Sequence, residues 1–109
     1  MTEIVTVYAT FPSADEADRI GMQLVAERLA ACVNILGPCR SIYRWRGRIE
    51  RSEEVGALFK TRAETADRLI GRLAGLHAYD VPAAVAWPIA NALSAYAQWV
   101  VEETEGREA

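Results

Sequence analysis

Two extended runs, Cys32 to Trp45 and Arg48 to Thr61, are separated by only Arg46 and Gly47. So short a gap, with glycine second, reads as a hairpin turn. Each arm then runs about fourteen residues, roughly 45 Å if straight at ~3.3 Å per residue. A domain of this size has a radius of gyration near ~13 Å, so part of the ribbon must overhang its own domain. The overhang would carry Ile42, Tyr43, Trp45 and Ile49. Apolar side chains and free strand edges in water are a liability usually met by pairing with another chain. A closed oligomer is therefore expected. Gly37-Pro38 interrupts the first arm.

The segments around the hairpin are shorter. Ile4 to Thr10 is β-branched and aromatic and stops before Pro12, as a short buried strand does. Ser13 with Glu16 forms a capping-box pattern, and Ala17, Ile20, Gly21 and Leu24 hold helical spacing, which predicts a first helix ending near Ala30. Thr61 with Glu64 repeats that pattern, and Ala66, Leu69, Ile70 and Leu73 predict a second helix finishing near His77. The run AAVAWP reads as a fourth strand closed by Pro88. Asn91 is placed as the cap of a last helix whose inner face is Leu93, Tyr96, Ala97, Val100 and Val101. The charged tail, about 103–109, is expected to fray. The order strand, helix, strand, strand, helix, strand, with an added helix, is the ferredoxin-like βαββαβ arrangement: an α+β sandwich in one domain spanning 1–109. That fold hosts many functions, so function has to be argued from sites.

Composition removes several classes. The net charge is -3, which gives no long-range positive field to draw the molecule onto nucleic acid or anionic lipid. The opening MTEIVTVYAT lacks a basic stretch followed by an apolar core, and no apolar run approaches the ~18 residues of a membrane span. Cys32 and Cys39 match neither a redox pair nor a zinc knuckle and read as reduced thiols of a cytoplasmic protein. In RSIYRWRGRIER, strand alternation sets Arg40, Arg44 and Arg46 on one face and Tyr43 and Trp45 on the other, which separates cations from aromatics and argues against RNA binding. Glu50, Glu53 and Glu54 lie opposite and are expected to pair with those arginines within or between chains.

The runs ERLAACVNI, SIYRWRGRIERSEEV, FKT, HAYDVP and AYAQW stand in order along nearly the whole chain. Together they resemble the successive motifs of the divalent-cation tolerance (CutA) family. The resemblance implies a ferredoxin-like subunit assembled as a homotrimer and associated with copper and other divalent cations. Members of that family commonly read HPYE or HPYD where this chain has His77-Ala78-Tyr79-Asp80, and often carry a cysteine or polar residue where Phe11 stands.

Candidate chemistry is sparse. Cys32 and the lone His77 are the soft and borderline donors that suit copper, although a metal centre asks for three or four clustered ligands. Cys32 is weighted above Cys39, which sits in a Gly-Pro turn with no obvious partner. His77, Tyr79 and Asp80 follow a helix end, where an ionisable triplet has no core duty; with Lys60, the only lysine, they form a candidate ligand site at a subunit boundary. Such a site would serve a metal-linked trimer or, by likeness to other ferredoxin-like trimers, a regulator that binds a small anionic molecule. One histidine with no nucleophile beside it, and no phosphate-binding glycine loop, gives no support for an enzyme.

Overall fold

The computed structural model describes residues 3–104. The elements are β1 (Ile4–Phe11), α1 (Ala14–Ala26), β2 (Cys32–Trp45), β3 (Arg48–Arg62), α2 (Ala66–Leu76), β4 (Ala84–Pro88) and α3 (Ser94–Thr104). The four strands form one antiparallel sheet in the order β2-β3-β1-β4, the ferredoxin-like topology expected.

Strand alternation divides the sheet into two faces. Val5, Val7, Ala9 and Phe11 of β1 join Ala57 and Phe59 of β3 beneath α1 and α2, which contribute Ala17, Ile20, Leu24, Leu69 and Leu73. This is the main core, and α1 lies close enough that a Cβ at Gly21 would stand 3.0 Å from Val33 Cγ1. The opposite face is covered at one end only. There α3 sets Val100 against Ile4 and Ala31, with Tyr96, Ala97 and Val101 beside them. Among the described residues no helix covers the other end of that face, around Tyr8 and Thr10.

The hairpin is as long as its sequence requires, and the longest molecular dimension is 44 Å. Arg46 (φ 52) and Gly47 (φ 80) both take positive φ, the two-residue turn whose twist suits antiparallel strands. Pairing runs from Cys32↔Lys60 to Trp45↔Arg48 with one register shift between Ile35 and Pro38. Across that shift β2 advances three residues while β3 advances two, so one extra residue is absorbed. The extra residue flips the faces. Cys32 and Asn34 share a face with Cys39, Ser41, Tyr43 and Trp45, not with Arg40 and Arg44.

Several local expectations need correction. Ser13 does cap α1, its Oγ accepting the Glu16 N–H at 3.1 Å. The helix nonetheless ends at Ala26, short of Ala30, because Arg28 turns left-handed (φ 63) and the Leu29 N–H closes on the Leu24 carbonyl at 3.0 Å. Thr61 does not cap α2. It is fully buried inside β3, its hydroxyl finds no partner among the described residues, and a single 3-10 turn at Ala63–Thr65 leads into the helix. Asn91 likewise caps nothing: α3 begins at Ser94, and Leu93, expected inside, is 75% exposed. Glu103 and Thr104 are helical and Thr104 is buried, so fraying does not start at 103; residues 105–109 lie outside the described residues. The cause is two arginines at the end of α3. Arg62 donates to the Thr104 carbonyl and hydroxyl, and Arg28 donates to the Glu103 carbonyl at 2.9 Å, which satisfies orphan helix-end acceptors.

Candidate functional site

The uncovered end of the second face is a pocket of about 610 Å³. Its floor is Tyr8 and Thr10 of β1 with Glu54 of β3, and its far wall is Tyr43 and Trp45 of β2. Tyr79 and Asp80, from the loop after α2, close the near side. The aromatic residues of β2 reach this pocket because of the bulge. Without the extra residue, Arg40 and Arg44 would occupy their face. Gly56 matters for a similar reason: a Cβ there would stand 3.2 Å from Tyr8 Cε1, so glycine lets the ring lie across β3.

His77 fastens the loop to the sheet. Its ring stacks on Phe11 at 5.0 Å and approaches Tyr79 at 4.7 Å. Nδ1 accepts the Tyr79 N–H at 3.1 Å and Nε2 lies 2.8 Å from the Thr10 carbonyl, so Nε2 carries a proton that it donates. Both nitrogens are committed and the residue is buried. The Ala78 N–H donates to the Glu16 carboxylate at 3.0 Å, so the loop lacking proline at Ala78 is still tied to α1.

Glu54 is the unexpected residue. It is 7% exposed, and its Oε2 accepts the Tyr79 hydroxyl at 2.8 Å rather than pairing with a hairpin arginine. Burial first, then the hydrogen bond and charge of Glu54, push the Tyr79 hydroxyl up to about 12, since both favour the neutral phenol. Tyr8 is also raised, by burial and then by Cys39 and Glu54 beside it. Of the three glutamates expected to meet arginines, Glu53 does so, with Arg40 at 3.3 Å, and Glu50 lies opposite Tyr43. The separation of cations from aromatics also fails at the turn, where the Arg46 guanidinium sits 5.3 Å from the Trp45 ring centroid.

The sequence-derived site residues divide into two groups. His77, Tyr79 and Asp80 come together at the pocket. Lys60 and Cys32 lie at the other end of the same sheet face, paired with each other across β2 and β3. Lys60 is opposite Thr6, and Thr10 lies four positions further along β1, roughly 13 Å of strand. Lys60 Nζ donates to Asn34 Oδ1 at 2.8 Å, and Cys32 Sγ lies 3.4 Å from the Tyr96 hydroxyl, whose pKa is raised by burial and by Cys32. One chain therefore does not bring Cys32 to His77, nor Lys60 to Tyr79. Cys39 is not isolated in a turn; it lies in β2 opposite Glu54 and next to Tyr8. Sequence reasoning missed Tyr8, Thr10 and Glu54. The signal that could have found them is parity: β1 residues facing away from the main core, carried through the register to β3.

The donor set of one chain does not fit a closed metal centre. Among the described residues no three His, Cys, Asp or Glu side chains cluster, and both His77 nitrogens are already bonded. No helix of the described residues is long and apolar enough to cross a membrane.

The profile of a family described as CutA1 divalent ion tolerance protein matches residues 5–103. The chain belongs to this CutA1 family. A divalent-cation tolerance protein CutA from Thermus thermophilus is 43% identical over 104 residues, covering 95% of this chain and 99% of that one. The protein of the same description from Pyrococcus horikoshii is 40% identical over 102 residues, covering 94% and 99%. Among solved structures, CutA from Xylella fastidiosa superimposes with a TM-score of 0.91 at 38% identity, covering 94% and 99%. A structure from Archaeoglobus fulgidus, described as the periplasmic divalent cation tolerance protein CutA, gives 0.90 at 36% identity, with the same coverage. The CutA1 match spans the hairpin, the bulge and the HAYDVP loop, so the pocket lies wholly within the family domain.

Proposed function

We propose that this member of the CutA1 family works as a homotrimer that binds copper or another divalent cation and serves the cell's response to metal, as a binding protein and not as a catalyst. The observation that carries the assembly is the overhang. Ile42, Tyr43, Trp45 and Ile49 are exposed on the hairpin, and Val85, Trp87 and Trp99 are exposed on β4 and α3. A second patch on the same chain gives the hairpin a surface of its own kind to meet, and head-to-tail contact between two different patches closes into a ring.

The cation reading rests on the family description and on Cys32, a half-buried free thiol. A single chain lacks the remaining ligands, so the site is read as one completed between subunits. The two free cysteines support a reducing, cytoplasmic setting, whereas the Archaeoglobus relative is described as periplasmic. The anion-binding alternative asks for Lys60 beside His77 and Tyr79. In one chain Lys60 lies at the other end of the sheet, so that site too would have to be completed between subunits, and no observation favours it over the cation reading.

Copper titration separates the thiols. Cys32→Ser is expected to lower copper uptake by the intact assembly at least tenfold, and Cys39→Ser by less than threefold, where tenfold corresponds to about 1.4 kcal/mol. Equal loss in both variants would overturn the assignment to Cys32, and no loss in either would overturn the role of the thiols in copper binding, while leaving the assembly to be judged by mass.

A further inference from the structure

A pocket walled by the hairpin cannot stay open in a ring whose copies cover the hairpin. The neighbour that meets Tyr43 and Trp45 also closes over Glu54 and Asp80, the two carboxylates of the lining. Among the described residues no lysine or arginine lines the pocket. Glu54 is 7% exposed even in one chain, with the Tyr79 hydroxyl as a donor and no salt bridge among the described residues. An ionised carboxylate offers about four acceptor positions, and burying its charge without a counter-charge is strongly unfavourable. Closure therefore deepens a charge that one chain does not neutralise, and the covering copy has to bring a cation.

The hairpin carries the candidates, and strand register separates them. Arg48 stands opposite Trp45 and Glu54 opposite Cys39, so Arg48 shares the pocket face of the ribbon. Arg44 and Arg51 stand opposite Ile49 and Ile42, on the other face. Arg40 is paired with Glu53, and the Arg46 guanidinium lies over the Trp45 ring of its own chain. Lys60 is bonded to Asn34 and lies in the four-stranded part of the sheet, not on the overhang. Arg48 remains: it is exposed and has no carboxylate partner among the described residues. It cannot reach Glu54 of its own chain, which lies six positions along the same strand, roughly 20 Å away. A guanidinium also suits walls made of aromatic rings, whose faces attract cations where water is excluded.

We propose that Arg48 of one copy enters this pocket on the next copy and pairs with Glu54 there, between the rings of Tyr8, Tyr43 and Tyr79, so that the pocket is a socket for the neighbouring hairpin. Head-to-tail contact of this kind repeats around a closed ring. Tyr79 acts as a positioning residue: its hydroxyl holds Oε2 of Glu54 and leaves Oε1 for the guanidinium. Asp80, exposed at the rim, draws the arginine inward. The proposal rests on the homotrimer reading and names a contact that closes it; it does not rest on the copper reading.

The test is a double-mutant cycle read by sedimentation of the full chain along a dilution series, in urea fixed at a level that brings the parent's dissociation midpoint into the micromolar range. Arg48→Gln and Glu54→Gln are each expected to raise that midpoint about tenfold or more, and the double variant to lie within about threefold of the weaker single variant. Because six positions of one strand keep the two side chains of a chain apart, such coupling can arise only between copies. Arg51→Gln, on the opposite face of the same overhang, is expected to raise the midpoint less than about threefold. Far-UV circular dichroism shows whether each variant is folded; should Glu54→Gln fail to fold, Arg48→Gln at its exposed position decides alone. An unchanged midpoint for Arg48→Gln, losses that simply multiply in the double variant, or a loss from Arg51→Gln as large as that from Arg48→Gln would each overturn the proposal with the ring intact. A parent of one chain mass without urea would overturn the ring and this contact together.

Discussion

The two ends of β3 have the same partner, the same alternation and opposite surroundings. From Val55 to Lys60 the strand lies between β2 and β1, and its inward residues Ala57 and Phe59 are sealed under α1 and α2. From Arg48 to Glu54 it pairs with β2 alone, and Ile49, on the same face as Phe59, is 69% exposed. Alternation therefore writes a face and not a core. What turns the face into a core is a second layer, which this chain supplies at one end of the ribbon only. The pocket lies at the boundary between the two regimes, where Glu54 is the last β3 residue buried on its face.

Truncation at matched positions would break the comparison most strongly. Phe59→Ala is expected to lower folding stability by about 3–5 kcal/mol at any protein concentration, because it opens a cavity that α1 and α2 cannot close. Ile49→Ala should leave the core intact and act through association, so that its effect on the unfolding midpoint grows on dilution. Denaturant unfolding at several concentrations reads both. A concentration-independent loss for Ile49→Ala as large as that for Phe59→Ala would erase the distinction between the two ends.

A smaller effect sharpens the boundary. Tyr79 is held near 12 in the folded chain against 10.0 unfolded. In that window the native state keeps a proton that the unfolded state has lost, so this contribution is full below pH 10 and declines as pH rises towards 12. Tyr8 and Tyr96 are also raised and lose stability in the same direction. The Tyr79→Phe variant should therefore show a shallower decline in stability above pH 10 than the parent, and lose the portion of the tyrosinate absorbance that titrates near 12. Superimposable alkaline profiles would mean that the Glu54 contact does not hold the phenol neutral.

Much of this architecture was readable because it depends on local rules. The two-residue turn, the strand ends before Pro12 and Pro88, the Ser13 cap and the inward helix residues follow from φ preference, missing donors and periodicity. The errors arose where tertiary contacts override equivalent local patterns. Thr61-Glu64 has the same capping spacing as Ser13-Glu16, but Thr61 is already committed to a buried strand position. The end of α3 looked frayed because its stabilisers, Arg28 and Arg62, come from distant segments. At the site, the HAYDVP loop stood out through its ionisable residues, whereas Glu54 resembled every other hairpin glutamate. Only the register, with one residue absorbed after Ile35, shows that Glu54 faces Tyr79 and that Tyr43 and Trp45 share its side of the sheet. The same register moves Lys60 and Cys32 to the far end, a separation that sequence distance does not reveal.

The claim on which most of this rests is that the exposed end of the ribbon is covered by other copies of the chain. Sedimentation equilibrium at micromolar concentration tests it directly. The account predicts a mass three times that of the 12.0 kDa chain. A particle of one chain mass, with the hairpin folded and exposed, would contradict it.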